Sequence, residues 1–168
     1  MTAKPPIIRP ISWIGVIVQL AFICLVAFVI SIAFGIREAA LAFLWAAIAQ
    51  SLISRLIQMW LTADHRRGVA LIRGGNFADA APAFEASYAA LKQRPWVDRF
   101  RFVLLGSASA MSYREMALCN AAFAYSQAGD GARAMQLYEA ALREFPHSSL
   151  AASSLQMLRA GQSLATSQ

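Results

Sequence analysis

Two long apolar runs open the chain. Residues 11–34 carry no charge, and residues 39–61 carry only Arg55. At 1.5 Å per residue, a helix over either run is long enough to cross a ~30 Å hydrocarbon core. Pro5, Pro6 and Pro10 stop a helix from extending further back, and Gly35-Ile36-Arg37-Glu38 makes a polar break between the runs. The second run is less uniform. On a helix, Gln50, Ser51, Ser54, Arg55, Gln58 and Thr62 fall in one sector, opposite Ala42, Phe43, Ala46, Ala49, Ile53, Leu56 and Trp60. Past residue 61 the pattern changes to short amphipathic stretches with ordinary charge density and clear punctuation, and no strand-like alternation appears.

The predicted architecture is therefore all-α, with two N-terminal transmembrane helices followed by a helical domain. The segments expected are an N-terminal tail (1–10), a hairpin (11–61), a helical domain (62–160) and a flexible tail (161–168). A cleaved signal peptide is a competing reading of the first run. Lys4 and Arg9 would form its basic region, and Ser31-Ile32-Ala33 its cleavage site. The run exceeds the usual apolar core of roughly 7–15 residues. The second run reads either as a span whose polar stripe Gln50, Ser54 and Gln58 faces the first helix, a second copy or a partner, or as an interfacial amphipathic helix. Residues 39–49 are apolar all round, which favours spanning. Small residues repeat every four positions, at Ala27, Ser31 and Gly35 and at Ala42 and Ala46, a spacing that lets helices approach closely in lipid. Lys4 and Arg9 flank one end of the hairpin, and Arg66, Arg67 and Arg73 follow the other. Arg37 alone sits in the turn. The positive-inside rule places both termini in the cytoplasm.

Composition agrees with an anchor joined to a soluble part. Apolar residues make up 58% of the chain and charged residues 14%, and mean hydropathy is +0.49. The net charge of +6 suits a bilayer with anionic headgroups. No Lys/Arg run exceeds Arg66-Arg67 and no nucleic-acid motif is present, so nucleic acid is not an expected partner. Cys24 lies in the first apolar run and Cys119 in the soluble part, and His65 and His147 stand alone. These spacings form neither a disulfide framework nor a metal site. The preference for Arg over Lys and the abundance of Ala resemble high-GC bacterial coding, which points to a bacterial inner membrane.

In the soluble part, Asn76 with Asp79 three residues on, Ser112-x-x-Glu115 and Ser148 are helix-start signals, the last for a helix running to Arg159. Gly74-Gly75, Gly129 and Pro146 are stops. Residues 116–146, MALCNAAFAYSQAGDGARAMQLYEAALREFP, have Ala122, Tyr125, Gly129, Ala134, Tyr138, Ala141 and Pro146 in a fixed register. Gly68, Leu71, Gly75, Phe77, Ala80, Phe84 and Ser87 keep the same spacings upstream. This register resembles the tetratricopeptide repeat family. Gly131 departs from it where an aromatic is usual, and Lys92 replaces the closing proline of the first copy. Gly75 and Gly129 stand about 54 residues apart, against ~34 for adjacent repeats. The expected segments are repeat one (about 62–94), an insert (about 95–112), repeat two (about 113–147) and a capping helix (about 148–160). Two repeats fall short of the roughly three usually needed for stability, so the membrane, a partner or self-association supplies the missing cover.

The resemblance implies a short α-solenoid that binds a protein in the concave groove of its first helices. His65, Val69, Ile72 and Arg73 would line it from repeat one. Met116, Cys119, Asn120, Phe123 and Gln127 would do so from repeat two. Asn120 matches an asparagine that some relatives use to clamp a peptide carboxylate, but His65 and Val69 stand where those relatives have Lys and Asn. In the insert, Trp96, Val97, Phe100, Val103 and Leu104 share one face of a helix, with Phe102 and Leu105 off it and Arg94, Arg99 and Arg101 alongside. It reads either as core filling of the repeats or as a membrane-surface or partner-docking element built on Trp96, Arg99, Phe100 and Arg101. No nucleophile–base set, paired carboxylates or phosphate loop emerges, and no cofactor is expected. The function expected is a membrane-anchored scaffold or adaptor at the cytoplasmic face. The alternative is an accessory subunit that joins a larger membrane complex through the polar stripe.

Overall fold

The computed structural model describes residues 12–166 of the chain. The expected N-terminal tail, with Lys4 and Arg9, and the start of the first span at Ile11 lie outside the described residues. The fold is all-α, and the described residues form nine helices. By their internal contacts the described residues divide into two compact units, one of residues 12–61 with 96–111 and one of residues 62–95 with 112–166.

The first unit is the hairpin and the insert. Helix α1 (Trp13–Phe34) is opened by Ser12, whose Oγ accepts from Gly15 N at 3.2 Å. It is closed by Gly35 at φ +62°, whose N–H bonds Ser31 O. This left-handed cap suits glycine because a Cβ is strained there. Gly35 is thus the turn residue, not a helix-contact residue as its four-residue spacing suggested. Helix α2 (Ala39–Leu61) returns along α1. Ala27, Ala42 and Ala46 are buried at the contact, with Ile23, Val26 and Ile30 packed beside them. The small residues let the backbones of the two helices approach closely. Both helices are long and apolar enough to cross a membrane. Their outer faces carry exposed Trp13, Ile17, Phe28, Leu44, Leu52 and Trp60.

The insert folds as two short helices, α5 (Pro95–Arg99) and α6 (Arg101–Leu104). The single helix face expected across it is broken at Phe100. Val97 from that face is fully buried, and Phe102 and Leu105, which the face left out, pack as well. Leu105 is fully buried, and a Cβ on Gly15 would come within 2.3 Å of the Phe102 ring.

The second unit stacks α3 (Ala63–Arg73), α4 (Phe77–Lys92), α7 (Tyr113–Gln127), α8 (Gly131–Glu144) and α9 (Ser149–Thr166), each packed on the next. Asn76, Ser112 and Ser148 are the helix caps that the sequence predicts, with side-chain oxygens accepting from Asp79 N, Glu115 N and Ala151 N. Asp130 adds a fourth, accepting from Arg133 N at 2.9 Å. Gly75 and Gly129 turn the chain at φ +76° and +90°. Alanines 80, 81, 117, 121, 122, 124, 134, 141 and 151 are fully buried between helices, with Phe84, Leu118, Leu137 and Tyr138 filling the larger gaps. Alanine loses no side-chain entropy on burial and permits short interaxial distances, so a core of this kind is built by helix proximity more than by bulk. Helix α9 continues to Thr166, through most of the tail expected to be flexible.

Candidate functional site

Two candidate surfaces follow from the sequence, and each lies in its own unit. The first is the polar stripe of α2. Gln50 and Ser54 are buried. The Gln50 amide donates both to Ser54 Oγ at 3.1 Å and to the carbonyl oxygen of Val103. Two turns further along α2, the Gln58 amide donates to the carbonyl oxygen of Leu105. Gly106, at φ +54°, lies against Gln19 and Ser54, where a Cβ would sit 3.5–3.6 Å from their side chains. From the α1 side, Ser12 N donates to Ala108 O at 2.7 Å. The stripe expected to face the first helix, a second copy or a partner is thus occupied by the chain's own insert. The physical reason is that the end of α6 exposes carbonyls with no helical partner, and two glutamines eight residues apart on one helix face meet two of them.

The insert is also tied to itself. Arg101 was expected to be a surface cation. It is half-buried, and its guanidinium donates to the carbonyls of Asp98, Ser109 and Ala110 at 3.0, 3.4 and 3.4 Å, lying 4.4 Å from the Phe102 ring centroid. Trp96, Arg99 and Phe100 are exposed.

The second candidate is the groove expected from the first helices of the two repeats. His65 and Cys119 are buried and do not line it. His65 packs edge-on against the Phe84 and Tyr113 rings, at 5.2 and 6.1 Å. Burial first, and the nearby Glu115 charge second, push the Cys119 thiol up to about 12. His65 is buried because α3 packs on α4 and the Tyr113 ring at the start of α7 lies against it, and Cys119 because α7 lies between α4 and α8 and is covered from each. Val69 and Ile72 are half-buried against the core cluster. Met116, Asn120 and Phe123 are half-buried, with Phe123 edge-on to Phe77 at 6.1 Å. Arg73 and Gln127 are exposed. The open part of the expected site thus reduces to Arg73 and Gln127, with Val69, Ile72, Met116, Asn120 and Phe123 partly accessible.

Sequence reasoning missed two carboxylate clusters that tie α4, α7 and α8 together. Glu85 accepts from Tyr125 Oη at 3.1 Å and from Arg133 at 2.8 Å. Glu144 accepts from Tyr88 Oη at 2.6 Å and from Arg114 at 2.8 Å. Burial, then the Glu144 hydrogen bond, pushes the Tyr88 phenol up to about 12, and burial with the Glu85 charge raises Tyr125. Each cluster takes one residue from each of three helices, so no local spacing announces it. Among the described residues, no three His, Cys, Asp or Glu side chains come together as a metal site would need. Compared with protein-family models, with curated proteins and with solved structures, the chain matches none.

Proposed function

We propose that the chain is a membrane-anchored, tetratricopeptide-like scaffold that holds a protein partner at the cytoplasmic face, in a bacterial inner membrane. The observation that carries the repeat reading is a register of about 54 residues between two helical hairpins. Gly68 and Ala122, Ala80 and Ala134, Phe84 and Tyr138, and Ser87 and Ala141 are all buried at equivalent places. Gly75 and Gly129 are equivalent left-handed turns, and Asn76 and Asp130 equivalent caps. Two hairpins in one register are what a repeat array consists of.

The anchor reading rests on the outward apolar faces of α1 and α2. Water-exposed patches of that extent are rare in soluble monomers. In this reading the insert is a re-entrant element. Gln50 lies about 16 Å along α2 from its Leu61 end, at 1.5 Å per residue, so the Val103 carbonyl enters the apolar layer. Irregular backbone is tolerated there only where protein satisfies it, which is the role of Gln50 and Gln58. The accessory-subunit reading has less support from the polar stripe, because Gln50 and Gln58 already bond the insert.

Arg73 and Gln127 are exposed at equivalent places in α3 and α7, so photo-crosslinking residues there test the adaptor in native membranes. The expected result is one shared protein adduct from both positions. Adducts arising only from the outer faces of α1 and α2 would overturn the adaptor in favour of a subunit of a membrane complex.

A further inference from the structure

At the Leu61 end of α2 an open cleft of ≈ 360 Å³ runs between that helix and the insert. Leu56, Ile57, Trp60, Leu61, Trp96 and Leu104 line it, and none is polar. Ligand clefts typically measure about 300–1,000 Å³ and carry a few polar groups that orient the ligand. This one has no internal polar group. Its two tryptophans are exposed at its edge, Trp60 at 86% and Trp96 at 47%. Indoles favour the boundary between hydrocarbon and headgroups, so the cleft sits where a span-length helix leaves the apolar layer. Arg99 stands three residues after Trp96 on α5, hence on the same side of that helix. It is exposed and makes no ion pair among the described residues. Arg101, two positions on, is consumed by three backbone carbonyls.

We infer that this cleft binds an anionic phospholipid of the bilayer, one acyl chain lying along Leu56, Trp60, Trp96 and Leu104 and the headgroup phosphate meeting Arg99. The charge decides the occupant. An uncharged chain would use the apolar wall alone and leave the guanidinium without a counterion, and a zwitterionic lipid would bring a repelling ammonium. The inference rests on the membrane-anchored reading above.

The test uses the full chain reconstituted in phosphatidylcholine vesicles. Trp96 is kept as the single tryptophan by changing Trp13, Trp45 and Trp60 to Phe, and a companion variant keeps only Trp45. Quenching is compared between acyl-brominated phosphatidylglycerol and acyl-brominated phosphatidylcholine at equal mole fraction. Trp96 should respond preferentially to the anionic lipid, by about fivefold in apparent affinity, the factor one cation supplies at an anionic surface. Arg99→Gln should remove the preference without changing Trp45, which should respond equally to both lipids. Equal quenching of Trp96 by the two lipids overturns the inference and leaves the anchor standing. Quenching of Trp45 but not of Trp96 also overturns it, because lipid then does not enter the cleft, as when a second copy of the chain covers it. If neither lipid quenches Trp45, the hairpin is not in the bilayer, and the membrane reading fails with the inference.

Discussion

The side-chain amide of Gln50 on α2 donates a hydrogen bond to the backbone carbonyl of Val103 at the end of α6, across 53 residues of sequence. With Gln58 on the Leu105 carbonyl, this makes the second apolar helix a receptor for the insert. Replacing Gln50 by Leu leaves the part-buried Val103 carbonyl without its donor, at a cost of about 1–3 kcal/mol. The insert should then open more often, by roughly 5- to 150-fold. Limited trypsin digestion of the full chain in detergent reads this as faster cleavage after Arg99 and Arg101. Gln58→Leu should act in the same direction. Cleavage unchanged in both variants would mean that these bonds do not hold the insert.

Two glycines in the helical unit should respond to alanine with opposite signs. A Cβ on Gly68 would lie 2.8 Å from the Phe84 ring, which is fully buried. Gly68→Ala should therefore destabilise by about 1–3 kcal/mol through overpacking. Gly131 has nothing within 4 Å of an added Cβ and opens α8 with ordinary helical geometry. Gly131→Ala should stabilise by about 0.4–1 kcal/mol, by restricting the unfolded chain. Chemical denaturation of the full chain in micelles gives both values. Equal signs would discredit the packing described around Phe84.

Alkaline pH should weaken the fold in a defined window. Cys119 is raised from 9.0 to about 12 and Tyr88 from 10.0 to about 12, burial being the first cause in each. The folded chain keeps these protons where the unfolded chain has released them, so it binds more protons between those values. The stabilisation is complete below pH 9 for the thiol and below pH 10 for the phenol, and it is lost as pH rises towards 12. In Cys119→Ala the decline should begin nearer pH 10 than pH 9. Identical alkaline profiles for the two proteins would show that the thiol is not linked to folding.

The elements legible in the sequence are those set by local rules. Apolar length marked α1 and α2, and the Asn76, Ser112 and Ser148 side chains marked three helix starts, because a cap is a bond between residues three apart. The stripe Gln50, Ser54 and Gln58 was equally visible. What it binds was not, since a backbone carbonyl carries no residue type and Val103 lies 53 positions away. His65 and Cys119 were assigned to an open groove from the first helices alone. Their burial depends on what packs over each helix, α4 and Tyr113 over His65 and α4 with α8 over Cys119, and no spacing encodes that. The Arg101 role escaped for a similar reason. A cation beside aromatics reads as a surface feature until the carbonyls of Asp98, Ser109 and Ala110 are seen to converge on it.

Topology is open to the most decisive test, because a two-span hairpin must return both flanks to one side. Lys4 and Arg9 precede the first run, Arg66, Arg67 and Arg73 follow the second, and the turn holds Arg37 beside Glu38. On the membrane-anchored reading proposed above, retention of basic flanks in the cytoplasm would place Glu38 outside and α9 inside. Cys24→Ala and Cys119→Ala give a background without cysteine, into which Glu38→Cys or Gln156→Cys is introduced, both positions being exposed. A membrane-impermeant maleimide added to intact cells should label position 38 and leave position 156 untouched until the membrane is permeabilised. The reverse pattern would keep the hairpin and invert it, moving the partner face to the outside. Labelling of both positions in intact cells would show that α2 does not return the chain across the membrane, and the re-entrant placement of the insert would fall with it.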